Sequence, residues 1–98
     1  MENRRLVARL IEEFRHQGQR ARLARALRAR GVELTQRQWD VLELLAEGMT
    51  TAQIAASLSI AEATVRSHVA TVLRKLGVST RAGAADLLKG AFRSLNAQ

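Results

Sequence analysis

Apolar residues recur at intervals of three and four along the chain, and no segment alternates apolar with polar positions for long. That period belongs to helices rather than strands. Proline is absent, and Gly18, Gly31, Gly48, Gly77 and Gly90 divide the chain into runs long enough for several turns each. Roughly six helices are predicted, and the fold class is all-α.

The helix entrances are marked more clearly than the exits. In "LTQRQW", Thr35 can cap the first turn, Gln38 can return the bond as in a capping box, and Leu34 can staple onto Trp39. "MTTAQI" repeats the grammar with Thr50, Gln53 and the pair Met49 and Ile54. Helices are therefore predicted to start at Gln36, running to about Glu47, and at Thr51, running to about Leu58. "IAEATV" has the staple, Ile60 with Val65, but its cap position is Ala61, which has no side-chain oxygen. A missing cap costs about 1 kcal/mol, so that helix depends on packing for its start. "GVSTRA" offers Ser79 or Thr80 as the cap of a last helix to about Leu88, with room to continue past Gly90.

The stretch "IAEATVRSHVATVLRKLGV", from Ile60 to Val78, carries the most pointed pattern. Wound as a helix from Glu62 to Leu76, it lines Val65, Val69, Val72 and Leu76 along one face, with Leu73 and His68 at the borders. The other face shows Ala63, Arg66, Ser67, Ala70, Thr71 and Arg74. Small side chains let a helix approach a surface closely, and arginine can give two hydrogen bonds to guanine O6 and N7 in a major groove. The preceding "TTAQIAASL" turns Ile54, Ala55 and Leu58 inward, and its small Ala55 and Ala56 suit the steep crossing of a helix-turn-helix. Spacing alone leaves an ordinary helical core and a DNA-reading pair equally open.

Composition narrows the choice. The 98 residues, 47% of them apolar, suffice for one small domain and an appendage. Without cysteine there is neither a disulfide framework nor cysteine-bound zinc. No run has the length of a membrane span, and the arginines near Met1 are not followed by the apolar core of a signal peptide. The expected location is the cytoplasm, with no membrane contact. Sixteen Lys and Arg against nine Asp and Glu, a formal charge of +7, suit a polyanionic partner. The only aromatics, Phe14, Trp39 and Phe92, are too scattered for a base-stacking platform, which favours duplex DNA over single strands.

The charge is unevenly shared, +5 over residues 1–33 and +2 over 34–98. Residues 1–33 therefore form a basic, Arg-rich helical extension of about two helices, preceding a domain at 34–98. Within the extension, Val7, Leu10 and Phe14 share one stripe and Leu23 and Leu27 another, with Gly18 as a break between them. Arg22, Arg25 and Arg28 form a solvated face that could also reach phosphates.

"LTxR" before "VLxLLAxG", then "IAxxLxI", then "TVRSHVxxVLRKLGV", then the arginine of "STRAGA", occur in order and without gaps over about residues 34–88. In this the chain resembles the LuxR-type helix-turn-helix DNA-binding domain, also called the GerE or NarL/FixJ-like domain. The resemblance implies a four-helix fold, with a scaffold helix, a supporting helix at 51–58, a recognition helix at 62–76 and a fourth helix that makes a dimer contact. It implies base contacts from Arg66, Ser67 and Ala70. Phosphate contacts are implied for Thr50, Thr51, Thr64, Thr71, Arg74 and Lys75, and the dimer contact of the fourth helix falls on Ala84, Leu87 and Leu88, of which Leu87 and Leu88, like Leu44, could instead be core. Ala70 stands where the family is often longer and polar, Ala52 where it often has lysine, and Gln38 where it usually has glutamate.

The expected function is sequence-specific binding of double-stranded DNA as a transcription regulator, with helix 62–76 in the major groove of a two-part site and the protein a homodimer. RNA polymerase or another protein is the candidate partner of residues 1–33. No cofactor or metal is expected, since His68 has only His16 for company. Nor is an enzyme, since no titratable pair has a nucleophile, base or metal partner at suggestive spacing. Two alternatives remain open: region 4 of a sigma factor, against which "KLGVSTRAGAA" speaks, and a helical adaptor that keeps the fold but binds protein.

Overall fold

A computed structural model describes residues 18–96 of the chain. Among these residues there are five helices and no strand. They are α1 (18–29), α2 (Gln36–Ala46), α3 (Thr51–Leu58), α4 (Glu62–Leu76) and α5 (Arg81–Asn96). The all-α expectation holds. The stripe of Val7, Leu10 and Phe14 lies outside the described residues, while Gly18, expected as a break, is itself helical.

Both capping boxes are present. Thr35 Oγ1 accepts from the Gln38 backbone N–H at 3.1 Å, and Gln38 Oε1 accepts from the Thr35 N–H at 2.9 Å. At α3, Thr50 and Gln53 exchange the same two bonds at 3.2 and 2.9 Å. Each box satisfies two donors that a helix start otherwise leaves without partners. Helix α4 begins from Ala61 with no side-chain cap, as its sequence predicts. For α5 the choice between Ser79 and Thr80 is resolved: Thr80 Oγ1 accepts from the Gly83 N–H at 3.0 Å. The helix then continues to Asn96, well past the expected end near Leu88.

The core has two parts joined by α2 and α4. At one end, Val41 and Leu45 of α2 meet Ile54 and Ala55 of α3 and Val65 and Val69 of α4. At the other, Leu34, Trp39 and Leu42 meet Val72 of α4 and Ala84 and Leu88 of α5, with Leu23, Ala24 and Leu27 of α1 packed against them. Leu42, Ile54, Val41, Val65 and Val72 are fully buried, and each such side chain contributes about 1.5–3 kcal/mol when removed from water. Half-buried Leu73 touches both parts. Helix α4 therefore cannot roll without disturbing the whole core, and its outer face is fixed.

Helix α1 is tied to α2 by charge as well as by leucines. The Arg20 guanidinium bonds Glu43 Oε1 at 2.8 Å and Asp40 Oδ1 at 3.0 Å, and it lies 5.8 Å from the centre of the Trp39 ring. Partial burial would by itself lower the basicity of Arg20. The hydrogen bonds and attraction of Glu43 and Asp40 together outweigh that loss and raise it above the ordinary value. The chain then turns at Gly31, whose φ of 80° places it in the left-handed region that suits glycine.

Candidate nucleic-acid interface

Helices α3 and α4 are joined by a turn that the sequence makes short. The Ile60 N–H bonds the Ala55 carbonyl at 3.0 Å, closing the end of α3, and Ser59 adopts φ 56°, ψ 45°. Ser59 is the one non-glycine residue with positive φ among those described. A left-handed residue here ends α3 and redirects the chain into α4 within three positions. Buried Ala55 contributes to the tight crossing, while Ala56 faces solvent.

Along α4, Val65, Val69 and Val72 are buried and Ala63, Thr64, Arg66, Ser67, Ala70 and Arg74 are exposed. The expected strip is thus continuous and open, with Thr71 half-buried along its edge. Arg66 and Arg74 make no ion pair or side-chain hydrogen bond among the described residues, so both guanidiniums keep their full donor capacity. The three base-contact candidates, Arg66, Ser67 and Ala70, are brought together on this strip. His68 is half-buried at its border, and among the described residues no group of three or more His, Cys, Asp and Glu side chains could hold a metal.

The first turn of α3 supplies the other expected contacts. Thr50 is exposed and Thr51 half-buried. Thr51 Oγ1 accepts from the Arg81 guanidinium at 3.0 Å, and the same side chain reaches the Met49 carbonyl at 3.4 Å. A hydroxyl that accepts still has its hydrogen to donate. Arg81, the arginine of "STRAGA", therefore ties the start of α5 to the start of α3 and orients Thr51.

Three expected site residues have partners or burial inside the protomer. Lys75 was expected on phosphate, yet its ammonium bonds the Glu33 carbonyl at 2.7 Å and Gln38 Oε1 at 3.0 Å. The neutral Gln38 side chain thus bridges the Thr35 N–H and the Lys75 ammonium. Ala84 and Leu88 were expected at a dimer contact, but they are 0% and 4% exposed because they close the core against Trp39 and Leu42. Only Leu87 of that set faces outward, at 44% exposure.

Residue patterns did not single out Arg20 or the Arg81 bridge. A signal for Arg20 existed: it falls on the stripe of Leu23 and Leu27, and Asp40 and Glu43, three apart on α2, make an acid pair for a cation on that stripe. No helix among the described residues is long and apolar enough to cross a membrane.

The family described as "Bacterial regulatory proteins, luxR family" matches the chain over residues 32–88. The chain is 48% identical over 54 residues to the nitrate/nitrite response regulator protein NarP of Escherichia coli, across 55% of this chain and 25% of that protein. It is 47% identical over 51 residues to the spore germination protein GerE of Bacillus subtilis, across 52% of this chain and 69% of that one. The alignment thus spans a quarter of the first relative and about two thirds of the second.

Proposed function

The chain belongs to the bacterial regulatory proteins of the luxR family, and on that premise we propose that it is a sequence-specific, double-stranded DNA-binding transcription regulator acting as a homodimer. Residues 34–98 form the DNA-binding unit, and 1–33 a basic extension, of which α1 rests on that unit. The observation that carries this is the exposed strip of α4, in which two guanidiniums without partners among the described residues flank small side chains while the opposite face is locked in the core. A slim helix of this kind can enter a major groove without steric conflict.

Arg66 reads a base pair with two hydrogen bonds, Ser67 adds a hydroxyl, and Ala70 offers a methyl for contact with thymine. Thr50, Thr51, Thr64, Thr71 and Arg74 grip phosphates and fix the register, and most of the affinity comes from them. Lys75 acts indirectly, by holding the carbonyl end of Glu33 and the α2 cap. Leu87 on α5 faces the second copy.

A protein-binding adaptor is the rival, supported by the exposed methyls of Ala52, Ala61 and Ala70. Fluorescence anisotropy with duplexes selected from a random pool, at several salt concentrations, separates the two. A DNA reader enriches a motif, and Arg66→Ala relaxes one base position at a cost of about 1–3 kcal/mol. Binding that enriches no motif and vanishes with modest salt would leave the adaptor standing.

A further inference from the structure

The two faces of α1 use arginine differently. On the inner face, which carries Leu23, Ala24 and Leu27, Arg20 is paired with Asp40 and Glu43. Arg22, Arg25 and Arg28 are all exposed, and none has an ion-pair or side-chain hydrogen-bond partner among the described residues. Helical period puts Arg22 and Arg25 on the outer ridge, with Arg28 at its flank. Like charges at that spacing repel one another, and α1 contains no Asp or Glu to relieve them. The helix dipole accounts for a cation in the last turn, such as Arg28. It does not account for Arg22 and Arg25, which precede that turn.

The remainder of the face narrows what it can bind. The other exposed residues of the helix are Gly18, Ala21, Ala26 and Ala29, so nothing larger than a methyl stands among the guanidiniums. A protein partner is commonly anchored by aromatic side chains or other large groups in pockets, and a membrane surface requires an apolar face. This face offers neither anchor. A row of phosphates requires only cations within reach, and each guanidinium presents a fork of donors that matches phosphate oxygens. Successive arginines rise about 4.5 Å along the helix axis, which flexible stems can match to one strand of a duplex.

The packing of α1 also places it near the reading helix. Leu23, Ala24 and Leu27 share a core cluster with Leu73, Leu76 and Val78, at and just beyond the end of α4, and Leu27, Arg30 and Leu76 line one groove. Helix α1 therefore stands beside the end of α4 that bears Arg74. Those contacts and the Arg20 clamp hold α1 in a fixed relation to α4, so phosphates gripped by it require little further ordering of the chain.

We propose that the arginine face of α1 is a second, sequence-independent DNA-binding surface, which grips phosphates of the duplex flanking the base pairs that α4 reads. The inference rests on the DNA-binding reading of α4. It adds a surface that precedes the matched span of 32–88 altogether, and one that supplies affinity without base preference.

The test is fluorescence anisotropy of the full chain at several salt concentrations, on a duplex trimmed to its selected motif and on one extended by about ten base pairs, one helical turn, at each side. Arg22→Gln, Arg25→Gln and Arg28→Gln combined should reduce the slope of log affinity against log salt by about two to three on the extended duplex. The trimmed duplex and the enriched motif should be unaffected, with no fall in melting temperature. Arg22→Lys, Arg25→Lys and Arg28→Lys combined should keep the parent slope, since a phosphate contact is retained by any cation. Equal slopes for the parent and the Gln variant on the extended duplex overturn the proposal and leave this face to an acidic protein surface. An equal loss on both duplexes also overturns it, because net charge alone acts at either length. A parent chain that enriches no motif overturns the reading of α4, and this surface with it.

Discussion

The two ends of the molecule treat cations and apolar surface in opposite ways. Where α3 crosses α4, apolar side chains are hidden and Arg66 and Arg74 are exposed, without a partner among the described residues. Where α1 meets α2 and α5, Arg20 and Lys75 are tied to carboxylates, carbonyl and amide, while Leu87 and a groove of leucines and alanines face outward. A free cation over a slim surface suits a polyanion, and an exposed apolar groove suits another protein surface. The contrast teaches that the basic charge of this chain is not one reservoir. Part of it is structural, part is available for binding, and position in the fold decides which.

Several substitutions break or sharpen that contrast, and the largest effect lies in the shared core. Ile54→Ala removes a fully buried side chain under the α3–α4 crossing and should lower stability by about 2–5 kcal/mol in urea unfolding, with loss of DNA binding as the crossing loosens. The crossed pair comes next. Arg66→Ala should leave the unfolding curve unchanged and reduce operator affinity by about 1–3 kcal/mol, whereas Arg20→Ala should lower stability by about 1–2 kcal/mol with base preference unaltered. Should the two variants give the same signature, the division between the ends is wrong.

Arg74→Ala and Lys75→Met make the same comparison between neighbours in sequence. Loss of Arg74 should reduce the slope of log affinity against log salt by about one, since one phosphate contact disappears. Loss of Lys75 should leave that slope alone and lower stability by about 1 kcal/mol. The smallest effect sits at the start of the recognition helix. Ala61→Ser supplies the cap that α4 lacks and should raise stability by about 0.5–1 kcal/mol, read as a shift of the urea midpoint.

Much of the reading end was legible in the sequence, for reasons that are local. Thr35 with Gln38 and Thr50 with Gln53 announce helix starts because a capping box is completed within four residues. The valines of α4 identify the buried face because helical period alone arranges them. Both starts, the bounds of α3 and α4, and the exposure of Arg66, Ser67 and Ala70 follow from such patterns. The length of α5 was less legible. The sequence leaves the end open between about Leu88 and a point past Gly90, and the helix runs through Gly90 to Asn96, because packing of the preceding turns on α2 outweighs the modest penalty of one glycine.

The amino-acid sequence by itself determined the helical class of the described residues, the two capping boxes, and the inward faces of α3 and α4, because those are settled by neighbours one to four residues away. Only the tertiary structure decided that Lys75 belongs to Glu33 and Gln38, that Arg20 clamps Asp40 and Glu43, and that Ala84 and Leu88 close the core while Leu87 stays outside. Those partners lie on different elements of the fold, about twenty or more residues apart in the chain for the polar pairs. No local period records such a separation. Whether a charge is tied or free, and whether a leucine is core or surface, is set by which helix happens to stand opposite.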